Sequence, residues 1–159
     1  MLTVDLQILG QRHKDLKNRM TAPPKLTPAN LVNMATKPRW CAGMLATKRR
    51  NFGNIIGHAK GVDDLSSLSA WSAEQLDPAL SWDDVAWVKA QWGGKLVLKG
   101  IMDVEDAQIA AGLGVDAIIV SNHGGRQLDG APGTLDVLPD ILGAVGDDCE
   151  VWVDGGLRS

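Results

Sequence analysis

The chain contains no tyrosine and only one phenylalanine; the other six aromatic residues are tryptophans. No site within it can therefore draw on a phenolic hydroxyl. Its two cysteines, Cys41 and Cys149, lie far apart and outside any metal-ligand spacing. That excludes a disulfide framework and a cysteine-based metal centre, and fits two idle or buried thiols in a reducing compartment. There is no basic excess, the formal net charge being −3, so the electrostatic footprint of nucleic-acid binding is missing. No apolar run reaches the ~18 residues of a membrane span, and the first residues, MLTVDLQILGQRHKD, lack a secretory core. A cytoplasmic protein is expected. Internal repeats and low-complexity tracts are also lacking.

What remains is ordinary globular composition, 45% hydrophobic and 22% charged over 159 residues, enough for one domain with a core. Short apolar runs at Met1–Asp5, Lys95–Lys99, Asp116–Ser121 and Glu150–Asp154 read as strands. Between them, helical patterns cover about 81–91, 103–112 and 135–145. Asp103, Glu105 and Asp106 supply acidic residues for the start of the second helix, and Gly112 and Gly114 can end it. Continuous apolar strands separated by helix-length segments predict an α/β architecture, a parallel sheet with helices on its faces. The stretch from about 21 to 78 has weak periodicity and many Pro, Gly, Ser and Lys residues. It is expected to be a long excursion with partial helices, such as Pro28–Ala35, and the least ordered part of the chain.

Each strand delivers polar groups at its C-terminal end: Thr3 and Asp5, then Lys99, then Ser121-Asn122-His123, then Asp154-Gly155-Gly156. In α/β barrels and open α/β sheets that edge carries ligands and catalysts. Within Ser121-Asn-His-Gly-Gly-Arg-Gln-Leu-Asp129, His123 can accept a proton near neutral pH. Arg126 can grip a carboxylate bidentately. An isolated His-x-x-Arg would more simply be a capping histidine and a surface arginine. Asp154-Gly-Gly-Leu-Arg158 reads as a phosphate cradle, although Gly-Gly turns occur widely. Lys99 is either a snorkelling surface lysine or a fixed positive charge beside a cofactor.

Taken together and in order, these motifs resemble the FMN-dependent α-hydroxy-acid oxidase and dehydrogenase family. The residues that carry the likeness are Thr3-Val-Asp5, Gly10-Gln-Arg12 with Asp15, Ser81-Trp-Asp-Asp84, Leu98-Lys-Gly100, Glu105-Asp-Ala107, Ile119 to Asp129, and Asp154-Gly-Gly156 with Arg158. The resemblance implies part of a (β/α)8 TIM barrel, its strands equivalent to the fourth to seventh. It implies FMN as cofactor and oxidation of an L-2-hydroxy acid, lactate-like, to the 2-oxo acid, with quinone or oxygen as electron acceptor.

By position, it makes His123 the catalytic base and Asp5 the group that stabilises its imidazolium. Arg126 and Arg12 become the substrate-carboxylate residues. Thr3, Lys99 and Ser121 would contact the flavin, and Asp154, Gly155, Gly156, Leu157 and Arg158 its phosphate end. The mixture of basic and apolar residues over 37–52 suits either a disordered, solvated loop or an anionic lipid surface; the likeness to membrane-associated members implies the second, as peripheral contact with the inner face of the cell membrane. A complete barrel needs ~250 residues, so residues 1–159 are expected to form an incomplete barrel that self-associates. On its own such a piece would not turn over, and at most would bind phosphate.

Overall fold

Four apolar stretches line up as one parallel sheet, in the order β1 (Leu2–Thr3), β2 (Val97–Ile101), β3 (Ala117–Val120) and β4 (Glu150–Val153). In the computed structural model the residues described are 1–6, 10, 13–18, 27–48, 53–55, 58–60, 71, 74 and 78–157. The chain divides into two compact units, one of Met1–Gln11 with Leu76–Ser159, the other Arg12–Gln75.

In the first unit, helix α4 (Trp82–Trp92) precedes β2, α5 (Val104–Gly112) joins β2 to β3, and α6 (Thr134–Val145) joins β3 to β4. Local chemistry sets the helix ends. The Ser81 N–H donates to the Asp84 carboxylate at 2.8 Å, and these Ser81 bonds, backbone first, hold the Asp84 carboxyl below its ordinary value. Gly93, at φ +64, closes the other end of α4 in the left-handed conformation that glycine adopts without steric penalty. The Asp103 side chain accepts from the Glu105 N–H at the start of α5.

The register pairs Thr3 with Lys99, Lys99 with Ile119, and Ile119 with Trp152. Because successive side chains alternate faces, Thr3, Lys99, Ile119 and Trp152 form a row on one face of the sheet. Leu2, Leu98, Ile118 and Val151 form the matching row on the other. The second face is the core. Leu98, Ile118 and Val120 are fully buried, packed with Val85, Ala107, Ala110, Ile141 and Val145 of the helices. The first face is more open, with Trp152 48% exposed. The parallel strands expected from the sequence are therefore present, and so are the three helices between them, within a residue or two at each end.

One strand differs. β2 runs on past Lys99 to Ile101, and its register with β3 slips between those two residues. Gly100 sits in the slip at φ +108. A single glycine in an apolar strand marks this kind of bulge.

The described residues of the second unit include the helices α1 (His13–Lys17), α2 (Pro28–Ala35) and α3 (Pro38–Ala46), and none of these three contains a buried residue. The Pro28–Ala35 helix has the expected bounds, with Thr27 as its cap and Pro28 in its first turn. The Cys41 thiol donates to the Met34 carbonyl at 3.2 Å, tying α3 to α2. Expectations for 21–26, 49–52 and most of 56–77 fall outside the described residues.

Candidate active site

The bulge brings the strand ends together. Beyond Thr3, the Val4 N–H donates to the Lys99 carbonyl at 2.8 Å, so the β1–β2 ladder extends to the residue before Asp5. Asp5 then stands at the C-terminal edge of the sheet, its Oδ2 3.3 Å from Nδ1 of His123. The Asp5 side chain is 16% exposed and that of His123 31%. Neither Asp5 oxygen makes a hydrogen bond among the described residues, nor does His123 Nδ1. A carboxylate buried in this way needs a polar partner, and the imidazole of His123 is the group that faces it. With Nδ1 turned to Asp5, Nε2 is the ring nitrogen left for another group.

His123 opens a single 3-10 turn, His123–Gly125, and adopts φ +57, a left-handed conformation unusual for a residue with a side chain. Asn122 holds this turn. Its Nδ2 donates to the Pro132 carbonyl at 3.0 Å, and its Oδ1 accepts from the Gly125 N–H at 3.3 Å. The histidine turn is thereby fastened to the chain entering α6. Arg126 follows at the end of the turn and is exposed. Gly10 lies against the backbone there. A Cβ on it would run into the Arg126 carbonyl and the Gln127 side chain, so only glycine lets the two segments meet this closely.

Beside this pair is a polar cluster on the same edge. Lys99 Nζ is 2.5 Å from the hydroxyl of the fully buried Ser121 and 2.8 Å from Oδ2 of Asp154. The Ser121 hydroxyl also accepts from the His123 N–H at 3.2 Å, linking the cluster to the histidine turn. Burial pushes the Asp154 carboxyl upward, but the hydrogen bonds from Lys99 and Ser121 and the charges of Lys99 and His123 outweigh it and hold it below its ordinary value. Lys99, 17% exposed, is thus a fixed, partnered cation rather than a snorkelling one. Gly155 and Gly156 follow at φ +116 and +83. A Cβ on Gly155 would press on the buried Thr134 at 3.2 Å, so α6 packs directly beneath the loop.

Of the residues singled out from the sequence, Thr3, Asp5, Lys99, Ser121, His123, Arg126, Asp154, Gly155, Gly156 and Leu157 are within the described residues. Arg12 and Arg158 lie outside them. Three contributors have no role assigned from the sequence: Asn122 and Gly100, named there only as members of motifs, and Thr134, not named at all. For Asn122 the signal was present, since an Asn three residues before a glycine commonly caps a turn. Gly100 and Thr134 act only through partners distant in sequence.

A parallel α/β sheet with polar and charged groups gathered on its C-terminal edge has them where α/β enzymes, barrels and open sheets alike, place ligands and catalysts. The sequence model of the FMN-dependent dehydrogenase family matches residues 1–159, and the chain belongs to that family. It is 40% identical over 163 residues to an L-lactate dehydrogenase of Caulobacter sp. (strain K31), covering all of this chain and 42% of that protein. It is 45% identical over 157 residues to an L-lactate oxidase of Nostoc sp., covering 99% of this chain and 38% of that one. Among solved structures it resembles the monotopic membrane protein (S)-mandelate dehydrogenase, with a TM-score of 0.88 and 30% identity over 99% of this chain and 41% of that chain. The chain thus spans about two fifths of the length of the relatives it matches.

The family's cofactor is FMN, and the residues present fit it. Lys99 gives a fixed positive charge on the open face of the sheet, in the same row as Thr3. The glycine loop after β4 leaves open space around Gly156, as a phosphate end requires.

Proposed function

We propose that the protein to which this chain belongs oxidises an L-2-hydroxy acid of the lactate type to the 2-oxo acid. The observation that carries this reading is the Asp5–His123 pair at 3.3 Å on the edge that also holds Lys99, Ser121 and Asp154. FMN, when bound, supplies the acceptor for the two electrons that leave the substrate. His123 takes a proton from the substrate on Nε2, and Asp5 steadies the resulting imidazolium from the Nδ1 side. Arg126, with Arg12, binds the substrate carboxylate, since a guanidinium matches its two oxygens. Thr3, Ser121 and Lys99 contact the flavin, Lys99 countering negative charge near it. Asp154, Gly155, Gly156, Leu157 and Arg158 hold the phosphate end.

The relatives named for lactate support that substrate over mandelate, and the second unit supports a quinone acceptor at a membrane. In α3, Trp40, Met44 and Leu45 are 52%, 42% and 76% exposed, flanked by Lys37, Arg39 and Lys48. Apolar side chains projecting among cations suit an anionic lipid surface. The attachment proposed is peripheral, on the inner face of the cell membrane; among the described residues no helix is long and apolar enough to cross a membrane.

The test is anaerobic mixing of the full-length, FMN-loaded protein with L-lactate while flavin bleaching is followed. His123→Gln should slow bleaching by at least ~10³-fold, within the range for loss of a general base, while FMN content stays the same. Bleaching at the unsubstituted rate would refute the role of His123. Mandelate bleaching faster than lactate would overturn the substrate assignment alone.

A further inference from the structure

We infer that Gly100 is a positioning residue for the Asp5–His123 pair, an inference that rests on the acid–base reading above. Asp5 is mostly buried and its oxygens make no hydrogen bond among the described residues. Directional bonds therefore do not aim its carboxylate. Packing does, and the surface it packs on is the β2 bulge. A Cβ built on Gly100 would lie 2.7 Å from Cβ of Asp5, 2.7 Å from its Cγ and 3.0 Å from its backbone N. The obstructed atoms are the root of the side chain and the main chain, which cannot swing away as a flexible tip could.

The main chain has no slack either. The Val4 N–H is held by the Lys99 carbonyl, on the residue immediately before Gly100. Any side chain at 100 would force Asp5 to shift as a unit, and so disturb a contact with His123 that is only 3.3 Å long. The bulge thus makes the space in which the carboxylate meets the imidazole. Glycine is required twice over at this position, once for Asp5 and once for φ +108.

The two requirements separate in a double-mutant cycle on the full-length FMN-loaded protein: Gly100→Ala, Asp5→Gly and the pair together. Asp5→Gly removes both side-chain atoms that a new Cβ would strike, but leaves any backbone strain at 100 in place. Gly100→Ala should lower the limiting rate of flavin reduction by L-lactate roughly a hundredfold, the scale of an ångström's misplacement. Half-saturating lactate and FMN content should stay near their original values, a split that general loss of structure would not produce. In the Asp5→Gly background the same change should lower the rate by less than about threefold, because the contact it disrupts is already gone.

Equal losses in both backgrounds would overturn the inference, as would Gly100→Ala reducing at the original rate while Asp5→Gly is slow. Should Gly100→Ala fail to fold with FMN, the double variant is expected to recover a yellow holoprotein, and its failure to do so would equally refute the idea. An Asp5→Gly protein that reduces at the original rate would instead bring down the acid–base reading itself, and the role of Gly100 with it.

Discussion

Strand β3 and helix α3 are both short apolar segments, yet Ile118 in the first is fully buried and Leu45 in the second is 76% exposed. The sheet unit hydrogen-bonds its backbone across four strands and buries one face against three helices. Helices α1, α2 and α3 of the second unit contain no buried residue. The difference teaches how labour is divided along the chain. On the function proposed, groups that must be held to fractions of an ångström stand at the ends of strands that cannot move without opening the core. The side chains proposed to meet a lipid surface stand on a helix that leaves their apolar atoms uncovered.

The sharpest way to break this comparison is truncation on each side. Ile118→Ala should destabilise the full-length protein by about 2–5 kcal/mol, the range for a buried aliphatic side chain, whereas Leu45→Ala should stay within about 0.5 kcal/mol. Similar midpoints for the two in denaturant unfolding would erase the distinction.

Function should divide the same way. Arg126→Lys should raise half-saturating lactate about tenfold, because an ammonium cannot make the two-pronged carboxylate contact. Stopped-flow reduction across lactate concentrations measures this, and an unchanged half-saturation would remove Arg126 from the substrate site. Leu45→Glu should leave reduction unaltered but weaken binding to anionic lipid vesicles roughly tenfold, the loss expected for one apolar anchor. Co-sedimentation that does not change would remove the lipid role from α3.

The smallest effect concerns Asp154. Its carboxyl is held below the ordinary value of 3.8, so the folded state binds the proton less readily than the unfolded chain. The pair with Lys99 therefore adds stability that is present above pH 3.8 and is lost as pH falls through the lowered value. Because the Asp154 side chain is 43% exposed, the contribution should be small. Asp154→Asn should lose about 0.5 kcal/mol at pH 7 and nothing in strong acid. A difference that persists at low pH would mean the side chain acts through something other than its charge.

Much of this is legible in the sequence. Four apolar runs ending in Thr3 and Asp5, Lys99, Ser121 to His123 and Asp154 to Gly156 already implied a parallel sheet with one functional edge, because that periodicity has few other ways to bury itself. Helices α4 to α6 are visible in the helical patterns between the strands, and α2 as the partial helix at Pro28–Ala35. Helix α3 is less so. Its residues read as a mixed basic and apolar stretch, since a helix without a buried stripe leaves little periodic signal.

By itself, the sequence determined which chemical groups the sheet would present and in what order, because local periodicity and turn residues are short-range properties of the chain. Only the tertiary structure decided which of them touch. Asp5 and His123 are separated by more than a hundred residues, as are Gly10 and the Arg126 carbonyl, and no local rule pairs them. The one-residue slip at Gly100 likewise belongs to two strands at once. Whether Lys99 stands alone or is paired with Asp154 depends on where β2 and β4 end relative to each other, and that is set by packing against a shared core.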